Sequence, residues 1–414
     1  MITVPPSPVP VSLVNQVMRG LNKIGIARTT LNADELIVGA QKRANLIDFG
    51  PGPYKENLQQ LTDALNSEAK LSPVGRLLTR EALISSLSNQ LKLQDWFRRY
   101  PEIAEQEIQS PIIIIGMPRS GTTILHEVMA LDDNSRIPLF WEADNPFPPP
   151  ETNTYLTDPR IKRAEQLLKI SHYLMPGVEN LHRMGARLPQ ECVKLTADMF
   201  ASMLYITIYH IPSYAKWLAE EADMPRSYQY HRRMLQLLQW RCPAKRWVIK
   251  SPGHLWTLEA LLKEYPDAKL IQTHRDPLKV VSSLASMMPV LRSAFSRDID
   301  PQRVAAEWSE CCAIALNASL ETRKSGLIKP DQIIDIQFRE FMGAEEKAVK
   351  EIYAAFDLEF TDELEGRIRR YVSGNPHDKH GGHKHSFENT GLDYQVERAK
   401  VKAYQNYFNV ETEF

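Results

Sequence analysis

The chain has 414 residues, of which 43% are apolar and 24% are charged, and its formal net charge is −1. These proportions are those of a globular protein, so they exclude disordered and fibrous classes, and the near-zero charge excludes a general nucleic-acid binder. The length favours two or three structural units, and the longest apolar run, Ile112–Ile115, is far too short to span a bilayer.

The first 105 residues are predicted to be helical. Leu83, Leu87 and Leu91 recur every four residues, and a similar stripe runs over 58–65 after the breaker FGPGPY. The N-terminal residues lack the basic start and the continuous apolar stretch of a signal peptide, so none is expected. We therefore predict an N-terminal helical subdomain over 1–105, packed against the rest of the chain.

From residue 106 onward the pattern changes to strands separated by helices. The expected strands are Pro111–Ile115, Trp247–Ile249, Leu270–Thr273 and the alternating Ile334, Ile336 and Phe338. The expected helices are Thr122–Leu131, much of 160–240, Leu255–Glu264, Leu278–Ser286 and Val349–Phe356. Residues 141–151 are proline-rich and are expected to be irregular. This alternation predicts an α/β fold with a parallel sheet flanked by helices, and ligands at the carboxyl ends of its strands.

The first loop after a predicted strand is GMPRSGTT. Gly116 and Gly121 have the spacing of the phosphate-binding loop G-x-x-x-x-G-K-[ST], but Thr122 stands where the lysine would be. A kinase or ATPase needs that lysine and Mg²⁺ on its phosphates. Arg119 and the loop hydroxyls instead suit a less charged group, such as a phosphosulfate, that needs no metal. An ordinary glycine turn between strand and helix remains the alternative.

Two later loops also follow predicted strands: KSPGHL from Lys250 and HRDPLKVVSS from His274. Together with GMPRSGTT, they resemble the sulfotransferases that use 3′-phosphoadenosine-5′-phosphosulfate (PAPS), in the bacterial-type branch with an N-terminal helical extension. The resemblance covers 106–414 and is weaker over 1–105. It implies a P-loop-like sulfotransferase domain and in-line transfer of a sulfuryl group to an acceptor hydroxyl. The products would be a sulfate ester and 3′-phosphoadenosine-5′-phosphate (PAP), with no metal involved.

The resemblance also implies residues for the nucleotide. The residues of the first loop that would cradle the 5′-phosphosulfate are Arg119, Ser120, Gly121, Thr122 and Thr123. Arg275 and Ser283 would bind the 3′-phosphate from one side of a helix start, where a guanidinium is a natural partner for a dianion. A surface salt bridge for Arg275 and a packed small residue for Ser283 are the alternatives.

Three residues are candidates for catalysis. Lys250 corresponds to the lysine that stabilises the leaving oxygen in the family, and His254 is a candidate general base. In the cytosolic branch the histidine comes two residues after the lysine, where this chain has Pro252. Glu191, in the stretch LPQE, is a second candidate base because part of the bacterial-type branch carries an acidic stretch there. The alternatives are a solvated side chain for Lys250, a packed or capping role for His254 and a charge on a helix face for Glu191.

A late stretch, PHDKHGGHKHSFENTGLD, is rich in histidine. The resemblance implies that this loop closes over the nucleotide, with Lys384 near the 3′-phosphate. A solvated loop and a metal site are the alternatives, the latter built from His377, His380, His383 and His385.

The four cysteines, at 192, 242, 311 and 312, have no metal-like or disulfide-framework spacing, so a cytoplasmic location is expected. A small-molecule or lipid-like hydroxyl acceptor is the expected partner, without nucleic acid, and the oligomeric state is left open. A P-loop nucleotide kinase or ATPase, a non-catalytic nucleotide-binding protein and a metalloprotein are the rival functions.

Overall fold

A computed structural model of the protein describes residues 2, 4–23, 29–181, 183–243, 245–375 and 385–414. Lys384 and three of the four clustered histidines therefore lie outside the described residues, and their predicted roles stay predictions. Within the described ranges, no helix is long and apolar enough to cross a membrane.

The described sheet has five strands, all parallel, in the order β2-β3-β1-β4-β5. The strands are β1 Ile112–Ile115, β2 Ser135–Arg136, β3 Arg246–Lys250, β4 Lys269–His274 and β5 Ile333–Gln337. Because helices connect the strands, the predicted α/β fold with a flanked parallel sheet is confirmed. Short β2 is the strand that the sequence analysis missed.

β1 shows why both faces of the sheet are covered. Ile113 and Ile115 pack into the larger apolar core, whereas Ile112 and Ile114 pack into a second core against the helix that follows β1. All four side chains are at most 1% exposed. A run of β-branched residues without polar alternation is the pattern of such a doubly covered strand.

The described residues before 100 are mostly helical, as predicted. They form α1 Val9–Lys23, α2 Ala33–Ala44, α3 Tyr54–Ser67 and α4 Pro73–Arg99. Ser72 caps α4, where its side chain accepts from the Gly75 amide, and Pro73 occupies the first turn. The leucines of the α3 and α4 stripes are buried in the larger core together with residues of the sheet domain. The boundary near residue 105 stays a prediction.

The remaining helices lie around the sheet. They are α5 Thr122–Met129, α6 Phe140–Asp144, α7 Pro159–Leu174, α8 Cys192–Ala197, α9 Met203–Ile208, α10 Pro212–Glu220, α11 Met224–Trp240, α12 Leu258–Glu264, α13 Pro277–Arg292, α14 Pro301–Lys324, α15 Phe338–Phe341, α16 Glu345–Ala355, α17 Asp362–Gly374 and α18 Tyr394–Phe408.

Two local expectations were wrong. Residues 141–144 belong to α6, because the Glu142 carboxylate accepts from the Leu139 amide and the prolines begin only after this helix has ended. Phe338 does not continue β5 but begins α15. Its ring consequently faces the cleft described below instead of a sheet face.

Candidate active site

Three loops meet at the carboxyl edge of the sheet because their strands are neighbours. Ile114 of β1 is aligned with Lys250 of β3, and Ile115 is aligned with Gln272 of β4. The loops that begin at Gly116, Ser251 and Arg275 therefore leave the sheet side by side, as expected for parallel strands.

The loop between β1 and α5 is fixed by its contact with β4. Gly116 has a φ of 153°, and a Cβ at this position would lie 2.1 Å from Thr273 Oγ1. Ser120 donates to the Met117 carbonyl at 2.5 Å, and its Oγ lies 2.7 Å from Thr273 Oγ1. Ser120 is 1% exposed, so its hydroxyl fastens the loop and does not face the cleft.

The start of α5 is the part of this loop that faces the cleft. Gly121 precedes the helix with a φ of 89°, and Gly121, Thr122 and Thr123 all line the cleft. The first amides of an α-helix have no intrahelical acceptor and carry the positive end of the helix dipole. This helix start can therefore bind an anion.

Two arginines converge beside this helix start. Arg119 donates from Nε to Ser283 Oγ at 3.1 Å and from Nη1 to the Leu181 carbonyl at 3.0 Å. Arg275 donates from Nη1 to the Arg119 carbonyl at 2.7 Å. Loss of hydration within the cleft, followed by repulsion from the Arg275 guanidinium, lowers the pKa of Arg119. The structure thus brings Arg119, Arg275 and Ser283 together, and their roles toward a nucleotide stay predictions.

Arg275 has two partners that sequence reasoning missed. Its Nε and Nη2 donate to the two carboxylate oxygens of Glu413 at 2.8 and 3.0 Å. Its guanidinium carbon lies 3.8 Å from the centre of the Phe338 ring. Glu413 follows α18, far from Arg275 in sequence, and no local pattern announces such a contact.

Lys250 and Glu191, two of the predicted catalytic residues, form an ion pair. The Lys250 side chain is 3% exposed and its Nζ donates to Glu191 Oε1. Glu191 stands directly before α8 and lines the cleft, so it connects the buried lysine to the cleft. The pair satisfies an ammonium that would otherwise be a buried, unpaired charge.

His254, the third predicted catalytic residue, does not line the cleft. It is 2% exposed, its Nδ1 shares a hydrogen bond of 2.8 Å with the Tyr228 hydroxyl, and it is not among the residues that line the cleft. Burial, and then the nearby His231, hold the pKa of His254 well below its usual range. A neutral imidazole enclosed behind the cleft wall packs the loop, and the structure does not bring it to the cleft as the sequence analysis expected.

The cleft holds about 640 Å³ and is lined by apolar side chains as well as by the two arginines. Large flexible and aromatic side chains form the apolar wall, including Met203, Leu204, Met287, Met288, Leu291 and Phe295. Such a wall suits an apolar ligand that presents one polar group.

The described end of the histidine-rich stretch lies against the start of α13, next to Ser283. His385 Nδ1 shares a hydrogen bond of 2.7 Å with Ser282 Oγ, next to Ser283. The implied closure of this stretch over the nucleotide stays a prediction, because Lys384 is outside the described residues. Among the residues described, no group of three or more His, Cys, Asp or Glu side chains could hold a metal ion.

Comparison with known families identifies one match over residues 111–362, to a model described as the sulfotransferase family. A curated relative is the omega-hydroxy-beta-dihydromenaquinone-9 sulfotransferase Stf3 of Mycobacterium bovis. It is 25% identical over 283 residues, which are 66% of this chain and 69% of the relative.

Two solved structures resemble the whole chain. Sulfotransferase STF9 of Mycobacterium avium superimposes with a TM-score of 0.83 at 27% identity, over 93% of this chain and 98% of the other. Sulfotransferase STF1 of Mycobacterium tuberculosis superimposes with a TM-score of 0.80 at 30% identity, over 91% of this chain and 100% of the other. The similarity therefore extends over the N-terminal helices as well as the sheet domain.

Proposed function

The chain belongs to the sulfotransferase family, and from that premise we propose that its cleft binds PAPS beside an apolar alcohol, with Glu191 as the base. The observation that carries this proposal is the meeting of Arg119 and Arg275 at the start of α5, in the cleft that Glu191 also lines. The cleft is lined by groups that can hold an anion, by apolar side chains and by a carboxylate that can accept a proton.

The residues present fit PAPS. Arg119, the first amides of α5 and the hydroxyls of Thr122 and Thr123 can hold the 5′-phosphosulfate. Arg275 and Ser283 can hold the 3′-phosphate, and Lys384 is proposed as a further contact. When bound, PAPS supplies an activated sulfuryl group and leaves as PAP. Because arginines and helix amides provide the positive charge, we propose that the reaction needs no metal.

The side chains of this protein have two roles in the proposed reaction: one accepts a proton and another stabilises negative charge. The acceptor oxygen forms the new bond to sulfur while the bond from sulfur to the bridging oxygen breaks. Glu191 takes the proton of the acceptor hydroxyl. Lys250, freed from Glu191 as that carboxyl becomes neutral, stabilises the oxygen that leaves. Preorganised donors of this kind are worth about 10²–10³ in rate each.

We propose a lipid-like alcohol as the acceptor. The support is the apolar wall, whose methionines and leucines can adapt to a flexible chain. The curated relative is named as a sulfotransferase for an omega-hydroxylated dihydromenaquinone, which is such a molecule. The kinase or ATPase alternative has no comparable support, because Thr122 replaces the lysine of the phosphate loop and the family is one of sulfotransferases.

Calorimetric titration with PAP, ADP and ATP, with and without Mg²⁺, tests the nucleotide assignment. We expect PAP to bind without Mg²⁺, and we expect this binding to be lost in Arg275→Ala. The control is Arg98→Ala, because Arg98 is an exposed side chain of α4. A preference for ATP with Mg²⁺ would instead return the chain to the kinase-like class. Release of PAP from PAPS in the presence of geranylgeraniol, but not of a short alcohol such as prenol, would support the acceptor class.

A further inference from the structure

We propose that Glu413 is an intramolecular competitor for the 3′-phosphate: its carboxylate occupies the fork of Arg275 until the nucleotide displaces it, and Glu413 thereby sets the affinity for PAP. This inference rests on the proposed function, in which Arg275 binds the 3′-phosphate. It goes further because it assigns a role in nucleotide affinity to a residue outside all three loops.

The geometry is that of a carboxylate standing in for a phosphate. Two parallel hydrogen bonds join Arg275 Nε and Nη2 to the two oxygens of Glu413, at 2.8 and 3.0 Å. Phosphate oxygens prefer the same two-point arrangement on a guanidinium. Because the carboxylate already accepts from Nε and Nη2, a phosphate can take the same two-point position on this edge of the guanidinium only by displacing it.

Burial gives the competition its strength. The Arg275 side chain is 14% exposed and the Glu413 side chain 13%, so their attraction is screened by water much less than that of a surface pair. With Arg119 as its neighbour, an unpaired Arg275 would be repelled as well as desolvated. Glu413 relieves both penalties in the free enzyme. The 3′-phosphate must therefore interact with Arg275 more favourably than Glu413 does in order to bind.

The segment 409–414, which we call the strap, keeps Glu413 near Arg275 by contacts that do not involve its carboxylate. The Glu413 amide donates to Asp276 Oδ2 at 2.7 Å. Arg339 pairs with Glu411, and Lys279 lies 4.7 Å from the centre of the Phe414 ring. A displaced carboxylate therefore stays tethered at high effective concentration and returns when PAP leaves.

A tethered competitor favours product release. PAP keeps the 3′-phosphate that PAPS brought, so an unopposed Arg275 would hold the product as tightly as it held the substrate. Release of product limits the turnover of many enzymes. A carboxylate that reoccupies the guanidinium weakens this hold while leaving the 5′ end of the site untouched.

The test is direct binding of PAP and of adenosine 5′-phosphate, which lacks the 3′-phosphate, to the full chain and to Glu413→Gln. We expect Glu413→Gln to bind PAP roughly tenfold more tightly, the scale of one charge-assisted pair, and to bind adenosine 5′-phosphate unchanged. Glu411→Gln removes the same charge from the same strap, but its partner is the exposed Arg339, so it should leave both affinities unchanged.

Two further measurements make the result decisive. In an Arg275→Ala background, Glu413→Gln should have no effect on PAP affinity, because the two residues act through one contact. Stopped-flow displacement should show slower PAP release from Glu413→Gln. Thermal unfolding of Glu413→Gln and of Glu413→Ala identifies a variant that has lost its fold, and either one that folds suffices for the test.

Equal or weaker PAP binding by folded Glu413→Gln would overturn the inference, since weaker binding would mean that Glu413 holds Arg275 in place for the phosphate. A wild-type chain that binds no PAP would sink the proposed function itself. The two failures are therefore distinguishable in the same titrations.

Discussion

At the scale of single residues, the pairing of Lys250 with Glu191 is the finding that changes the mechanism most. The sequence analysis proposed the two residues separately, one for the leaving oxygen and one as a base. In the structure they are partners, so in the proposed mechanism the protonation of Glu191 and the release of Lys250 become one event. His254, although it follows Lys250 closely in sequence, is buried against Tyr228.

Glu191→Gln separates the two candidate bases. The amide keeps an oxygen for Lys250 but cannot accept the acceptor's proton, so we expect kcat to fall by about 10²–10⁴ with PAP affinity within roughly twofold of wild type. His254→Gln should retain most of its kcat. Steady-state turnover, with unfolding temperatures as the check on folding, makes the comparison. An active Glu191→Gln beside an inactive but folded His254→Gln would restore His254 as the base.

At the scale of elements, the sequence predicted the strands and helices that are determined by their own local residue pattern. β1, β3 and β4 were found because short β-branched runs preceded glycine or proline, and the loops that follow them carried most of the site. β2 was missed because a strand of two residues is too short to show a periodic pattern in the sequence. Phe338 was assigned to a strand because its spacing alternates, and Glu413 was missed because its contact joins segments distant in sequence.

Gly116→Ala tests the contact between the phosphate loop and β4. The new methyl group would overlap Thr273 Oγ1 at a backbone angle that favours glycine, so we expect a loss of roughly 2 kcal/mol or more in unfolding free energy and weaker PAP binding. Gly366→Ala is the matched control. Its Cβ would meet only Arg370 at 3.5 Å within α17, and there we expect a gain of roughly 0.5–1 kcal/mol. Urea unfolding measures both, and similar values for the two variants would contradict the argument.

At the scale of the whole molecule, a buried carboxyl joins the N-terminal helices to the sheet domain. Asp198 Oδ2 accepts from Asn89 of α4 at 3.1 Å and from the Tyr230 hydroxyl of α11 at 3.1 Å. The Asp198 carbonyl accepts from Gln90. Burial raises the pKa of this carboxyl to about 6. The joint between the two parts of the chain is therefore sensitive to pH.

Since the pKa of Asp198 is higher in the folded protein than the ordinary value of 3.8, folding favours its protonated form. Its contribution to stability is full below the ordinary pKa and is lost as the pH rises through about 6. The total is about 3 kcal/mol, of which about 1.4 kcal/mol falls between pH 5 and pH 8. Relative to Asp198→Asn, wild type should lose that amount over this range in urea unfolding. A difference that does not vary with pH would refute the assignment.

The double burial of β1 has a consequence for how the molecule opens. Its backbone pairs with β3 on one side and β4 on the other, and all its side chains are enclosed by two cores. The amides of a central parallel strand donate alternately to its two neighbours, so exposure of the whole set to deuterium requires that both β3 and β4, which carry the other two loops, separate from β1. Deuterium uptake over the whole of Ile112–Ile115 therefore reports the opening of the centre of the sheet, from which the three loops of the candidate site leave.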